Sequence, residues 1–188
     1  MSEPQQKYPT LEGLRPGEFH TATGRIIDVL NPQVDQIDVE DIAWGLSNFC
    51  RFGGQMRTNY NVGQHSVLVA CMAPAKLKPV ALHHDSPEAY IGDVIKPLKI
   101  MLGGIYAELE ERWTCKIFEA FFLDPSLIEL VKPYDLELLE IEHAFIHGQS
   151  NELLKLTKHQ FGQHDPGLWN HFEAYNKFRK LHNTYFLK

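Results

Sequence analysis

Apolar residues recur at helical spacing along most of the chain. The first such stretch follows Asp38, a residue type that favours the N-cap position of a helix, and Gly53-Gly54 ends it. Its apolar positions lie one, three or four residues apart: Ile42, Ala43, Leu46, Phe49 and Cys50. This spacing predicts an amphipathic helix that begins after Asp38.

The rest of the chain predicts further helices. Asn61 with Gln64 resembles a capping box and opens a helix to about Met72, and Pro79 starts a helix that should end near Ser86. A four-residue repeat after Gly103-Gly104 marks a long helix with Ile105, Leu109, Trp113, Ile117 and Phe121 on one face. Pro133 opens another helix, with Leu136, Leu139 and His143 on one face, and Leu168, Phe172 and Tyr175 begin the last one.

Residues 19–30 have β-branched character around a Thr23-Gly24 turn signal, which favours a short hairpin. The chain is therefore predicted to be an all-α helical bundle of about six or more helices with a short N-terminal β-hairpin. Residues 1–18 read as an irregular leader, and 19–188 as a single domain.

Net charge and cysteine content indicate which partners and which cellular compartment to expect. The 188 residues include 18 Lys and Arg against 24 Asp and Glu, a net charge of −6, so we expect neither a nucleic-acid polymer nor a membrane as a partner. The three cysteines form no CxxC pair, and the first residues lack the apolar core of a signal peptide. We therefore expect a cytoplasmic protein.

Among ten histidines, one cluster differs from the scattered remainder. His65 is followed nineteen residues later by His84-Asp85, and much later by Asp135. Two imidazoles and two carboxylates suit Mn, Co, Fe or Zn better than Ca or Mg, and they leave coordination positions for water and substrate. Each residue alone is a weak signal, and His83 competes with His84 for the same role.

Charged residues of several kinds follow this cluster: Glu88, Asp93, Lys96 and Lys99. A carboxylate that binds no metal can orient or deprotonate an attacking water, and lysines neutralise phosphate oxygens. The competing interpretation is a solvated turn and a basic helix face.

The pattern YNVGQHS, ALHHDSPEAYIGD and Asp135 resembles the HD-domain metal-dependent phosphohydrolases over residues 20 to 145. It is most similar to phage dATP triphosphohydrolases and small bacterial 5′-deoxynucleotidases. The resemblance implies the HD-type helical fold, with Glu88 acting with the attacking water and Asp93 supporting the reaction centre. The metal ligands that it implies are His65, His84, Asp85 and Asp135.

A second similarity lies in CRFGGQ, where Arg51-Phe52 precede His65 much as an Arg-Trp pair precedes the first ligand in the deoxynucleotidases. It implies Arg51 on phosphate and Phe52 against sugar or base. Core packing is an equally good account of Phe52 alone. This chain has Phe where the deoxynucleotidases have Trp, and two glycines follow it. These departures from the pattern concern the identity of the substrate rather than the chemistry. Lys96 and, less directly, Lys99 are further candidates for phosphate contacts.

These expectations combine into one reaction: hydrolysis of dATP to deoxyadenosine and triphosphate with a divalent Co, Mn, Zn or Fe ion. The same interpretation allows an additional Mg²⁺ ion at the phosphates. The alternatives are a 5′-deoxynucleotidase acting on dNMPs and, in another class, a non-catalytic nucleotide-binding HD module. Members of the family often form dimers or rings, so a homo-oligomer is also open, and a phage-encoded protein would act in the host cytoplasm.

Overall fold

The computed structural model describes residues 14–186. It is mostly helical with a small two-stranded sheet, which confirms the all-α class and the N-terminal hairpin. Of the predicted leader over 1–18, residues 1–13 lie outside the described range. Within that range, no helix combines the length and the apolar character needed to cross a bilayer.

The hairpin pairs β1 (Glu18–His20) with β2 (Ile26–Asp28) in antiparallel register. Gly24 has φ +83°, as the predicted turn requires. The backbone N–H and hydroxyl of Thr23 donate to the Asp41 carboxylate at 2.7 and 2.8 Å. The turn is therefore fastened to the first helix.

Two helices begin at the predicted caps. α1 (Val39–Asn48) begins after Asp38, whose side chain accepts from the Glu40 N–H, and α2 (Val62–Met72) begins after Asn61, whose side chain accepts from the Gln64 N–H. The Gln64 side chain does not return to the cap. It donates to the Gly167 carbonyl and accepts from the Trp169 N–H, both at 2.8 Å, so it binds the segment before the last helix.

The remaining helices have bounds that are partly as predicted. They are α3 (Lys78–His83), α4 (Glu88–Ile91), α5 (Lys96–Leu102), α6 (Gly104–Ala120), α7 (Ile128–Ile146), α8 (Glu152–Phe161) and α9 (His171–Phe186). The sequence pattern did not single out α4, α5 or α8. In the predicted four-residue stripe of α6, Trp113 and Ile117 are buried, but Ile105 is 82% exposed because it lies in the first turn beyond the core.

The predicted start of a helix at Pro133 is wrong. α7 begins at Ile128 and contains Pro133. Its buried face also differs from the predicted one: Leu136 is exposed, whereas Val131, Leu138 and Glu142 are buried. Pro133 is the sixth residue of α7, where a proline removes one intrahelical hydrogen bond, and burial of Val131 extends the helix upstream of it. Similarly, α9 begins at His171, after Leu168, and Phe172 is exposed.

α2 lies at the centre of the bundle. Every residue from Val62 to Ala70 is buried, and α2 packs against α1, α3, α7 and α9. The sequence of a helix that is surrounded by other helices is apolar on all sides. A polar side chain on such a helix needs a hydrogen-bond partner inside the protein. His65 is such a side chain.

His83 belongs to the core. It is fully buried, with Nδ1 2.9 Å from the Ser86 hydroxyl and Nε2 2.9 Å from His182 Nδ1 on α9. Phe121 and Phe178 pack on its ring. His83 is therefore engaged away from the cluster in which the sequence let it compete with His84.

We expect the buried His182 to make folding stability sensitive to acid. Burial lowers the pKa of His182 to about 4, whereas an unfolded histidine titrates near 6.5. The unfolded state then binds more protons between these values, so stability is full above pH ~6.5 and falls towards pH ~4 by up to about 1.4 kcal/mol per pH unit. Urea unfolding followed by circular dichroism at several pH values measures this slope.

His182→Asn should make the slope smaller, and His159→Asn, which changes an exposed histidine, should not. Equal slopes in His182→Asn and the unchanged protein would contradict the assignment.

Candidate metal centre

Three elements bring the four predicted ligands together. His65 is in the first turn of the buried α2, His84 and Asp85 follow α3 directly, and Asp135 lies in α7. α2 packs against both α3 and α7, so side chains distant in sequence meet between them.

The ligand atoms lie at short mutual distances. His65 Nε2 is 3.3 Å from Asp135 Oδ1 and 3.5 Å from Asp85 Oδ2, and His84 Nε2 is 3.3 Å from Asp85 Oδ2 and 3.9 Å from Asp135 Oδ1. One ligand atom each from His65, His84 and Asp135 lies within 4.8 Å of the others. Such a group is within the span that a single cation can bridge.

Hydrogen bonds fix both imidazoles with Nε2 towards this group. His65 Nδ1 lies 2.6 Å from Glu142 Oε1, and His84 Nδ1 lies 2.8 Å from the Ala81 carbonyl oxygen. Both acceptors require a proton on Nδ1, which leaves the Nε2 lone pair free in the neutral ring. Both Nε2 atoms are buried and make no hydrogen bond with any residue in the described range 14–186. Two orphaned, inward-facing nitrogens fit a metal ion.

The charges around the group favour a cation. Burial opposes ionisation of Asp85 and Asp135, but the neighbouring histidines outweigh it and hold both pKa values well below the usual range. For His65, burial and the Arg51 charge oppose protonation, yet Glu142 and Asp135 raise its pKa to about 9. The pocket thus stabilises positive charge at the point where the ligand atoms converge.

Glu142 is the residue that the sequence interpretation missed. It is fully buried and accepts hydrogen bonds from Tyr60 at 2.7 Å and from Arg51 Nε and Nη2 at 3.2 and 2.9 Å, besides its contact with His65. It lies seven residues after Asp135, which is two helical turns, so both face the same side of α7. That spacing was the signal available in the sequence.

Arg51 was predicted to bind phosphate, and two of its five side-chain N–H donors bind Glu142. Its Nη1 atom lies 3.8 Å from Asp85 Oδ2, at the edge of the metal group. The guanidinium lies over the Phe52 ring at 5.3 Å, and that ring is 5.5 Å from His143. Phe52 has φ +58°, a left-handed conformation that costs a non-glycine residue energy.

Glu88 lies almost fully buried beside the group. Its Oε1 accepts from Lys99 at 3.1 Å, and its Oε2 has no hydrogen-bond partner among the residues of 14–186. Burial and the charges of Asp85 and Asp93 raise the pKa of Glu88 well above its usual value. A carboxyl with a raised pKa is suited to taking up a proton.

The remaining predicted site residues are Asp93, Lys99 and Lys96. Asp93 is half-buried, and burial raises its pKa. Lys99 binds both Glu88 and, at 2.8 Å, Glu110, so its charge is already paired. Lys96 is exposed at the start of α5 and forms no ion pair within the described part of the chain.

A cleft of about 350 Å³ leads to the ligand group from the side of α7. It is lined by His84, Asp85, Ile128, Glu129, Val131, Lys132 and Asp135. Lys132, which the sequence interpretation did not single out, donates to Asp135 Oδ2 at 2.7 Å and is 60% exposed. Its position three residues before Asp135 was the available signal.

Comparison with known proteins gives relatives without a named activity. The chain is 41% identical over 108 residues to the uncharacterized protein YfdR of Escherichia coli, covering 57% of this chain and 60% of the relative. It is 37% identical over 120 residues to an uncharacterized protein of Rhodobacter capsulatus, covering 58% and 61%. The chain thus spans about three fifths of the length of the curated relatives it matches. No family model matches the chain.

We expect Glu142→Gln to weaken metal binding about 10–100-fold, because a neutral amide no longer holds the His65 imidazole as a carboxylate does. Isothermal titration of the metal-stripped protein with Co²⁺ measures the dissociation constant, and circular dichroism checks the fold. Glu140→Gln, on an exposed position of the same helix, is the matched control.

If Glu142→Gln does not fold, Tyr60→Phe removes only one of the hydrogen bonds to Glu142 and should weaken Co²⁺ binding by a smaller factor. Unchanged affinity in the folded variants would show that Glu142 does not support the metal ligands.

Proposed function

We propose that this protein is a metal-dependent phosphohydrolase of the HD-domain type that acts on deoxynucleotides. The observation that supports it most is the convergence of two buried, unpaired imidazole nitrogens on two ionised carboxylates beside a cleft. A closed structural metal site would be filled by its protein ligands, whereas a site beside a cleft can admit substrate.

His65, His84, Asp85 and Asp135 would hold the ion. Two nitrogens and two oxygens favour Mn, Co, Fe or Zn. When bound, such an ion supplies Lewis-acid stabilisation of phosphoryl oxygen and lowers the pKa of water.

Glu88 would orient the attacking water and take its proton. Support for this role comes from its position near Asp85, its raised pKa and its buried Oε2 atom without a hydrogen-bond partner among the described residues. Lys99 holds the other oxygen, which limits the rotation of the carboxylate. Asp93 adds negative charge that keeps the proton affinity of Glu88 high.

The preferred substrate is dATP. Water attacks the α-phosphorus, a new P–O bond forms, and the bond to the 5′ oxygen breaks, so that deoxyadenosine and triphosphate leave. Glu88 would receive one proton of the water and pass it to the 5′ oxygen, which then leaves as the hydroxyl of deoxyadenosine. Lys132 lies at the cleft but is paired with Asp135, so a phosphate would have to compete for it. Lys96 is exposed and is the second cation that we propose for the phosphates.

The contacts of Arg51 and Phe52 change the roles that we propose for them. Since Arg51 uses Nε and Nη2 for Glu142, only Nη1 faces the ligand group and can reach a phosphate oxygen. Phe52 is partly exposed, with Arg51 and His143 beside its ring, and it would contact sugar or base.

We expect the purified chain with Mn²⁺ or Co²⁺ to convert dATP into deoxyadenosine and triphosphate, and chelation to abolish the reaction. Chromatography of the products decides between the alternatives, because phosphate released only from dAMP supports a 5′-deoxynucleotidase. Nucleotide binding without turnover under every divalent ion would instead indicate a non-catalytic module.

Glu88→Gln should lose about 100-fold or more in turnover while metal affinity stays unchanged, since the amide cannot accept the proton. Glu110→Gln is the matched control, because Glu110 is the second partner of Lys99. Steady-state rates and Co²⁺ titrations of both variants test the assignment, and full activity of Glu88→Gln would remove Glu88 from the mechanism.

A further inference from the structure

Tyr106, in the first turn of α6, is a buried tyrosine that lies outside the hydrophobic core. It is 8% exposed, yet it does not belong to the contiguous core cluster formed within residues 14–186. Its neighbour Ile105 is 82% exposed, so the first turn of α6 lies beyond that core. What buries Tyr106 is instead the chain between α4 and α5.

Two contacts connect Tyr106 with residues 92–99, which we call the 92–99 segment. The Tyr106 hydroxyl donates to the Gly92 carbonyl oxygen at 3.0 Å, and the Lys99 Nζ atom lies over the Tyr106 ring, 5.2 Å from its centroid. A cation over an aromatic face is attracted by the negative charge of that face. One side chain of α6 thus contacts the segment at both of its ends.

The 92–99 segment depends on such contacts because it has little burial of its own. None of its residues is buried, and α5, which begins within it, buries none of its seven residues. A helix this short gains too little from its own hydrogen bonds to be stable alone. The position of the segment is therefore set by side chains that reach it from α6, and Tyr106 is one of them.

The segment carries two charged groups that act on Glu88 in opposite directions. Burial and the charges of Asp85 and Asp93 raise the pKa of Glu88, whereas Lys99 lowers it. Lys99 also donates to Glu88 Oε1 at 3.1 Å, which restricts the rotation of the carboxyl. A shift of the segment would move Asp93 and Lys99 together, and both the proton affinity and the orientation of Glu88 would change.

We propose that Tyr106 is a positioning residue: it holds the 92–99 segment so that Lys99 keeps the carboxyl of Glu88 oriented to take a proton. This inference rests on the proposed function, because it concerns the same proton-accepting group. Tyr106 acts through Lys99 and Asp93 and needs no contact with the substrate. A misplacement of a reacting group by about 1 Å can cost on the order of 100-fold in rate, so a small shift of the segment is measurable.

Steady-state kinetics with Co²⁺ and dATP, or dAMP if that is what the unchanged protein hydrolyses, separate turnover from binding. Tyr106→Phe keeps the ring over Lys99 but loses the hydrogen bond to Gly92, so kcat should fall about 3–10-fold with KM unchanged. Tyr106→Leu also loses the contact between the ring and the ammonium group and should lower kcat further. Circular dichroism checks that both variants fold.

Tyr175→Phe is the matched control. The Tyr175 hydroxyl also donates a hydrogen bond between two elements, but it binds Glu40 and so joins α9 to α1. This variant should keep full turnover. An equal loss of kcat in Tyr175→Phe and Tyr106→Phe would show that any such hydrogen bond matters alike, and it would overturn the proposal.

A double variant tests whether Tyr106 acts through Glu88. In a Glu88→Gln background no carboxylate remains to be positioned, so Tyr106→Phe should change kcat there by no more than about twofold. The proposal is wrong if Tyr106→Phe has the same effect on kcat in both backgrounds, or if it raises KM without lowering kcat.

Hydrogen–deuterium exchange followed by mass spectrometry tests the contact without any turnover. In metal-free protein, Tyr106→Phe should speed exchange in peptides that cover the 92–99 segment and leave the rest of the chain unchanged. Faster exchange throughout the chain, or unchanged exchange in the segment, would each overturn the proposal. If the unchanged protein hydrolyses no nucleotide, the proposed function fails, and the exchange result still decides whether Tyr106 holds the segment.

Discussion

The carboxylate of Glu142 is fully buried, so its negative charge has to be balanced inside the protein. Arg51 supplies the balancing charge, and Tyr60 and His65 complete the hydrogen bonding. These partners come from the segment after α1, from the residue before the cap of α2, and from α2 itself. One buried ion pair therefore joins α7 to the N-terminal half of the chain at the place where the candidate ligands meet.

The same interaction orients the candidate metal ligands. A carboxylate that accepts from Nδ1 of a histidine fixes the tautomer and makes Nε2 a better ligand. Because Arg51 also approaches Asp85, its charge acts on two carboxylates with different tasks. Arg51 thus contributes to the fold and to the electrostatics of the site through one guanidinium group.

Carboxylates within a small region differ in proton affinity because their surroundings differ. Asp85 and Asp135 face imidazoles and stay ionised, whereas burial together with the charges of Asp85 and Asp93 raises the pKa of Glu88 despite its contact with Lys99. Groups with separated pKa values can divide the roles of ligand and base between them.

Local signals in the sequence were enough for several parts of the protein. The caps at Asp38 and Asn61 and the hairpin turn at Gly24 depend on residues within three or four positions of each other, and the structure has each of them. The spacing and residue types of His65, His84-Asp85 and Asp135 singled out the four side chains that the bundle brings together. Their assignment as metal ligands remains a prediction.

Tertiary structure decided what depends on distant partners. Arg51 and Glu142 are 91 residues apart. The seven-residue spacing places Glu142 on the same face of α7 as Asp135, but it does not show that Glu142 has a buried partner. α7 extends upstream of Pro133 because Val131 gains burial against its neighbours, and His83 rather than His84 turns into the core because α9 places His182 beside it. Short-range preferences amount to about 1 kcal/mol per position, so burial and charge pairing across the bundle override them.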